Sequence, residues 1–344
     1  MPIDEAALGT VKSLKISDDG TLWLITDKSV ARLEGDAWSV YLPAYSGKIA
    51  GIDAASRVWV VSEDASEISA WDGAPSSDGA PSGDGGSWTT YGADAGWIPL
   101  AGGEHVYVSG GQSDGLGRPW FATSQDVRVF DGERWIVITP QDMGMEAIDD
   151  YDFSPSFSVT VVGSGDQVWV SRCVWGVIGP AQGGSVRWFD GVTWHGADSP
   201  VASSCAPTIR EDHAGHVWIG TSNYLWRYDP DPESWTQFRP DISTAFLILS
   251  TMPDPSGDLW VSLTLCGGSC FNTIDVYHVS IQDGTWTRIL VYEGYNRPRV
   301  ILDAAVTPWL FVEGRVYQIV DNAPKLAAHL NARLAVVDTT GRVW

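Results

Sequence analysis

Residues suited to binding chemistry concentrate in a few irregular stretches of this sequence, where aromatic side chains stand next to charged ones. The ligand site predicted from them comprises Asp149, Asp150, Tyr151, Asp152, Phe153, Trp97, Trp175, Tyr295 and Arg297. Exposed aromatic rings beside carboxylates and a guanidinium are the groups that orient polar ligands in concave sites. We therefore predict a site for a small polar ligand or a peptide.

The same carboxylates leave a catalytic alternative open. Asp150 or Asp152 has the chemistry of a general base, but the matching loops contain no histidine to complete an acid–base pair. A propeller lyase or hydrolase is therefore the second interpretation, and a protein–protein interaction scaffold is the third. We favour a non-enzymatic role, with no catalytic residue and no cofactor.

A tryptophan repeat determines the elements that position these stretches. A glycine-containing turn precedes each clear copy, as in the stretch 257–260, and these copies end at Trp23, Trp169, Trp218, Trp260 and Trp344. Weaker copies end at Trp59, Trp120 and Trp309. The intervals are those of propeller blades. Because the tryptophans keep one place in every repeat, we predict that they are core residues.

A second signature follows each of these turns. Alternating apolar and polar residues lead to an Asp-Gly or Asp-Pro turn and a further tryptophan, as in the stretches 127–135 and 186–194. Period-two alternation predicts half-buried strands, and Asp-Gly between strands marks a tight hairpin. Each repeat is therefore predicted to be a four-stranded antiparallel blade of an all-β propeller.

We predict a single β-propeller domain over residues 1–344. Complete blades are expected at about 11–42, 47–91, 97–139, 155–197, 205–239, 244–291 and 298–330. The tail 333–344 is expected to be a partial further repeat or a segment that closes the ring. Seven blades is the preferred count and eight the alternative, and the unfinished repeat leaves open that the sequence belongs to a longer multidomain chain.

The repeat resembles that of the two-component-regulator propeller family. Residues 217–229, with the sequence VWIGTSNYLWRYD, match the family pattern closely, and residues 22–26 match it in part. The resemblance implies a propeller fold and a role as an extracytoplasmic sensing module, commonly placed ahead of a membrane helix and a kinase.

The connectivity of a four-stranded meander sorts the loops between two faces of the predicted propeller. Loops from second to third strands and links between blades emerge on one face, and the short hairpin turns emerge on the other. The predicted ligand-site residues fall on the first face. We therefore place the predicted site over the channel on that face.

Charge excludes several partners. The chain contains 21 Lys and Arg against 43 Asp and Glu, a formal net charge of −22. Phosphate binding needs a basic surface, so nucleic acid and anionic membrane surfaces are not expected partners. No apolar run has the length of a membrane-spanning helix, so no membrane insertion is expected. The acidity itself is typical of a solvated, soluble surface.

Four cysteines bear on the cellular compartment. Cys173 and Cys205 fall at neighbouring blade positions, and Cys266 and Cys270 share one loop, so disulfides 173–205 and 266–270 are the favoured pairing. Free thiols and a zinc site are the alternatives, although no Cys-x-x-Cys spacing supports zinc. Disulfides imply an oxidising compartment. The N-terminus shows no signal peptide, so an extracytoplasmic location requires that a leader has been removed, and a cytoplasmic location is the alternative.

Overall fold

The computed structural model describes residues 11–16, 22–26, 30–34, 37–41, 47–55, 57–71, 87–99, 108–146, 154–163, 167–175, 181–266, 273–293, 299–302, 307–312 and 315–329. Their regular structure is β-strand, apart from one short 3-10 helix, Ala93–Ala95. The chain is therefore all-β, as predicted. Within these ranges no helix has the length and apolar character needed to cross a membrane.

The chain divides into two compact units, Met1–Asp142 with Phe157–Val159, and Met143–Ser156 with Thr160–Trp344. In the first unit, a four-stranded antiparallel sheet runs in chain order through β1 (Val11–Ile16), β2 (Leu22–Thr26), β3 (Val30–Glu34) and β4 (Ala37–Tyr41). An eight-stranded sheet combines two further meanders, β5 (Gly47–Ile52), β6 (Val58–Ser62), β7 (Ile68–Trp71) and β8 (Trp88–Tyr91), and β9 (Val108–Ser113), β10 (Pro119–Thr123), β11 (Val127–Phe130) and β12 (Trp135–Ile138).

The two meanders of the eight-stranded sheet meet at their first strands. β5 and β9 are joined by a parallel bridge between Gly51 and Gly110. A Cβ atom on Gly51 would lie 2.0 Å from the carbonyl oxygen of Gly110. Only glycine allows the two backbones to approach this closely.

The second unit contains four more antiparallel sheets, each in chain order. The first two consist of β13 (Ser154–Val162), β14 (Gln167–Trp175), β15 (Ala181–Phe189) and β16 (Trp194–His195), and of β17 (Thr208–Glu211), β18 (Val217–Gly220), β19 (Leu225–Pro230) and β20 (Glu233–Phe238). The last two consist of β21 (Phe246–Pro253), β22 (Leu259–Leu265), β23 (Thr273–Val279) and β24 (Trp286–Glu293), and of β25 (Arg299–Leu302), β26 (Pro308–Val312), β27 (Arg315–Val320) and β28 (Ala323–His329).

The Asp-Gly turns form hairpins as the sequence predicts. Between β15 and β16, Asp190 Oδ1 accepts hydrogen bonds from the backbone N–H groups of Val192 and Thr193 at 2.8 and 2.7 Å. Gly191 has φ of +95°, which favours glycine. These hydrogen bonds, together with one from His195, lower the pKa of Asp190.

Six of the repeat tryptophans are core residues, as predicted, namely Trp23, Trp59, Trp120, Trp169, Trp218 and Trp260. Trp309 is only partly buried, and Trp344 lies outside the described residues. In the first unit, Trp23 packs against the β5–β8 meander and Trp59 packs against the β9–β12 meander. In the second unit, Trp169, Trp218 and Trp260 each pack against the sheet that follows their own. Each of these five tryptophans therefore stacks its own meander on the next one in the same unit.

This stacking corrects the expectation that all strands are half-buried. β10 and β18 are buried at every position. In β18, Val217 and Ile219 pack towards the β13–β16 sheet, whereas Trp218 packs towards the β21–β24 sheet. A strand covered on both faces has no solvent-facing side, so its sequence is a continuous apolar run.

Candidate functional site

Each sheet has two ends with different connections. We call the end with the turns from first to second and from third to fourth strand the turn end, and the opposite end the loop end. Most of the predicted ligand-site residues lie outside the described residues, namely Asp149, Asp150, Tyr151, Asp152, Phe153, Tyr295 and Arg297. Trp175 is the last residue of β14, at a loop end, and nothing is described of its side chain.

Trp97 is a core residue of the first unit. Its side chain is fully buried, and its indole N–H donates to the carbonyl oxygen of Ala65 at 3.1 Å. The guanidinium carbon of Arg128 lies 4.3 Å from the centre of the ring, and Trp135 meets the ring edge-on. The ring therefore fills the space between the β5–β8 and β9–β12 meanders and exposes no surface for a ligand.

The guanidinium above Trp97 belongs to a closed ion pair. Arg128 is 1% exposed, and its Nε and Nη2 donate to the two carboxylate oxygens of Asp126 at 2.9 and 3.1 Å. The hydroxyl of Thr123 donates to the same carboxylate at 2.8 Å. A buried charge is tolerated when it is paired and hydrogen-bonded in this way.

A disulfide fixes the loop end of the β13–β16 sheet. Cys173 in β14 is bonded to Cys205, at a sequence separation of 32 residues, as predicted. The backbone N–H of Ala206 also donates to the hydroxyl of Ser171 at 3.2 Å. Cys266 is not a free thiol, whereas Cys270 lies outside the described residues, so the 266–270 pairing stays a prediction.

Two buried arginines occupy the opposite face of the same strands. Arg172 in β14 and Arg187 in β15 are 5% and 7% exposed. Arg172 donates to the carbonyl oxygen of Glu146 at 2.7 Å and to the hydroxyl of Ser185 at 3.2 Å. Arg187 donates to the carbonyl oxygens of Gly144, Val186, Gly196 and Ala202 at 2.8 to 3.4 Å.

Neither guanidinium forms an ion pair with a carboxylate in the described part of the chain, and Nε of each has no protein acceptor. Burial lowers the pKa of Arg172, and the positive charge of Arg187 lowers it further. Burial also lowers the pKa of Arg187, although the carboxylates of Asp198 and Glu146 act against this from a distance. The site therefore holds two positive charges close together. Backbone carbonyl oxygens accept hydrogen bonds from both guanidinium groups but do not neutralise their charge.

Open space adjoins this arginine pair. Gly183 pairs with Val174 in the β14–β15 ladder, while Ser185 pairs with Arg172. Gly183 therefore shares the face of Ser185 and lies about 7 Å further along the strand. A Cβ atom placed on Gly183 or on Gly144 would meet no heavy atom of the described residues within 4 Å.

Charged groups at the turn ends form a repeated arrangement that we call the aspartate clamp. Asp53 Oδ1 accepts from the backbone N–H groups of Ala55 and Arg57 at 3.0 and 2.9 Å. Its Oδ2 accepts from Nε of Arg57 at 2.7 Å and from the indole N–H of Trp59 at 2.9 Å. Asp114 repeats the clamp with Arg118 and Trp120, and Asp212 repeats it with His216 and Trp218.

These clamps satisfy their own carboxylates. Burial alone would raise the pKa of Asp114, but hydrogen bonds from Arg118 and Trp120 outweigh it and lower that pKa. The same balance, with His216 and Trp218 as donors, lowers the pKa of Asp212. The clamp residues are thus engaged in holding hairpins together.

The fourth copy uses a histidine from the neighbouring strand. In the β21–β22 hairpin the position of Arg57 is taken by Asp258, which cannot pair with Asp254. Nε2 of His278 in β23 lies 3.4 Å from Asp254 and 3.8 Å from Asp258. The carboxylate of Asp254 therefore retains a polar side-chain partner even where the sequence of the clamp changes.

The interpretation of the sequence missed the aspartate clamps and the arginine pair. The clamps had a signal, because Asp53, Asp114, Asp212 and Asp254 stand at one spacing before a repeat tryptophan. The arginine pair depends on strand register, which places Val170 opposite Arg187. Among the described residues no group of His, Cys, Asp and Glu side chains is arranged to hold a metal ion.

Comparisons with known proteins give distant structural likeness. No protein-family model matches the chain, and no curated protein matches it. A streptogramin B lyase is 13% identical with a TM-score of 0.46, over 87% of this chain and 89% of that one. Apo AztD from Citrobacter koseri is 11% identical with a TM-score of 0.45, over 93% and 86%.

A third similar structure is the extracellular domain of a protein described as a one-component system, from B. thetaiotaomicron. It is 12% identical with a TM-score of 0.44, over 97% of this chain. The chain spans about half the length of that domain, 49%. We carry no activity over from likeness of this size.

Proposed function

We propose that the chain is a ligand-binding or sensing module of the β-propeller type, which holds a small polar molecule or a peptide at the loop ends of its sheets. Four-stranded antiparallel meanders that stack through a repeated tryptophan support this architecture. We keep seven blades in one domain, with residues 333–344 as a partial repeat, as part of the proposal. The resemblance to the two-component-regulator propeller repeat supports a sensing role.

One observation carries the placement of the site. At the turn ends, the aspartate clamps give their carboxylates local partners. At the loop end of the β13–β16 sheet, Arg172 and Arg187 are buried without a carboxylate partner in the described part of the chain. Buried charge that the protein does not itself neutralise is typical of functional sites.

The disulfide supports a location outside the cytoplasm. Cys173–Cys205 joins two positions far apart in sequence, and such bonds persist mainly in oxidising compartments. We therefore propose an extracytoplasmic module whose partners are small polar ligands, proteins or peptides rather than nucleic acid.

The two alternatives have less support. The carboxyl group of Asp275 has a pKa raised by burial, as a catalytic acid requires, but it is only 2% exposed and accepts a hydrogen bond from Tyr277 within the protein. Among the described residues, the most exposed apolar side chains, Leu116 and Val192, stand singly in turns and do not form the extended apolar patch of a scaffold.

The test is a screen of small polar compounds and short peptides by ligand-observed NMR, followed by variants. We expect Trp175→Ala and Tyr151→Ala to weaken binding of a hit at least tenfold. Trp194→Ala makes the same chemical change at a turn end and is expected to leave binding unchanged. Binding that is unaffected by both loop variants would contradict the proposed site.

A further inference from the structure

Two strands of the molecule carry the same local sequence. Residues 127–132, VRVFDG, and 186–191, VRWFDG, align residue by residue, so Arg128 and Arg187 occupy equivalent positions. The residue two positions before each arginine differs. It is Asp126 beside Arg128 and Ser185 beside Arg187.

Two differences change the charge around these arginines, in positions that we call the β9–β12 slot and the β13–β16 slot. Ser185 replaces Asp126, and Arg172, which pairs with Ser185, stands where Thr123 stands beside Asp126. In β11 the carboxylate of Asp126 accepts two hydrogen bonds from Arg128 and neutralises it. In β15 the neutral hydroxyl of Ser185 stands in that place and accepts a hydrogen bond from Arg172, a second cation. The β13–β16 slot thus holds two guanidinium groups and one hydroxyl where the β9–β12 slot holds a salt bridge.

We propose that Arg172, Arg187 and Ser185 form a binding site for the carboxylate group of a ligand. Guanidinium groups match the planar geometry of a carboxylate, and Asp126 shows that a carboxylate is the group this strand sequence pairs with its arginine. The inference rests on the proposed function, because it names the ligand chemistry at the same loop end.

The open space beside Gly183 gives the ligand a place on the arginine face. Gly183 and Gly144 both border space that a Cβ atom would not fill. Gly144 and Glu146, whose carbonyl oxygens accept from the two arginines, are exposed on their outer side. We therefore place the ligand at the loop end beside Gly183, on the face that carries Ser185 and Arg172.

The negative charge of the whole protein makes this site selective. A chain with a formal net charge of −22 repels anions from most of its surface. Anion binding to this protein therefore requires local positive charge, and the arginine pair supplies it.

Sodium acetate is the probe, compared with sodium chloride at equal ionic strength and pH 7.5 in thermal unfolding. We expect acetate to raise the midpoint by about 2 °C when it is at ten times its dissociation constant. Gly183→Leu fills the open space and leaves both charges in place, and we expect it to abolish the acetate response while circular dichroism stays unchanged. Arg134→Gln removes an exposed cation of the first unit and should retain the full response.

Absence of an acetate response in the natural protein overturns the proposal, as does a response that survives Gly183→Leu. The triple variant Asp149→Asn, Asp150→Asn, Asp152→Asn distinguishes the source of the carboxylate. A response present only in that variant assigns the arginines to the chain's own carboxylates and also overturns the proposal. A negative acetate experiment does not by itself contradict the proposed function. A screening hit whose binding depends on Trp175 would still support a ligand site at the loop ends.

Discussion

The β9–β12 meander and the β13–β16 sheet both bury an arginine, and they accommodate its charge in two different ways. In the first, Arg128 is paired with Asp126 and covered by Trp97, so the slot is electrically neutral and filled. In the second, Arg187 and Arg172 are held by carbonyl oxygens of the chain, next to open space at Gly183. The charge of the two slots differs through two residues, Ser185 in the place of Asp126 and Arg172 in the place of Thr123, and we propose that this change converts a packing position into a binding position.

The largest expected effect concerns the neutral slot. Asp126→Ala leaves the Arg128 guanidinium buried without a counter-charge, and we expect it to lower the free energy of unfolding by about 3–5 kcal/mol. Urea unfolding measures this loss. Arg134→Ala removes the exposed partner of Asp131 and is expected to cost less than about 1 kcal/mol. Similar losses for the two variants would show that the slot is not a buried ion pair.

Loss of the disulfide beside the arginine pair is expected to have the second-largest effect on stability. The double variant Cys173→Ser, Cys205→Ser removes a cross-link with a sequence separation of 32 residues, and we expect a loss of about 2–4 kcal/mol. Denaturant unfolding of the natural protein with and without a reductant provides the check. Equal stability of the oxidised and reduced forms would mean that the cross-link does not stabilise this loop end.

The third effect concerns a turn end, where charges are neutralised locally. Asp114→Asn removes the negative charge and replaces one accepting oxygen of the clamp with an NH2 group, and we expect a loss of about 1.5–3 kcal/mol at pH 7. Because the folded-state pKa of Asp114 is lowered, its stabilisation is present above the unfolded pKa and disappears as the pH falls through the folded pKa. The gap between variant and natural protein should therefore close on acidification below pH 4. A gap that is constant with pH would contradict the clamp.

The smallest expected change in stability concerns Asp275, a buried carboxyl group whose nearest described cation is not in hydrogen-bond contact. Arg288 lies 3.8 Å from Asp275, and burial raises the pKa of that carboxyl. A raised folded-state pKa means that the favourable protonated form is lost as the pH rises, so ionised Asp275 lowers stability at pH 7. We expect Asp275→Asn to stabilise the protein at pH 7 and to have little effect below pH 3.8. Destabilisation at pH 7 would show that the ionised group is favourably paired.

Sequence patterns predicted the all-β class, the Asp-Gly hairpins and the buried repeat tryptophans, because these features depend on neighbours close in sequence. The burial of Trp97 could not be predicted from the sequence, because the ring fills a gap between two meanders and no local sequence pattern encodes that gap. The pairing of Arg172 with Arg187 could not be predicted either, because only the strand register brings the two side chains to one face of the sheet. The contrast between Asp126 and Ser185 was visible in the sequence, but its meaning needed the burial of both arginines.

The most direct test of the account is the variant Ser185→Asp, which gives the β13–β16 slot the carboxylate found in the β9–β12 slot. We predict that this variant is more stable than the natural protein in sodium chloride, and that the difference shrinks in saturating sodium acetate because the natural protein then binds an equivalent group. The measurement is the free energy of unfolding in urea for both proteins in both salts. A variant that is less stable in chloride, or a difference that is the same in the two salts, would contradict the account.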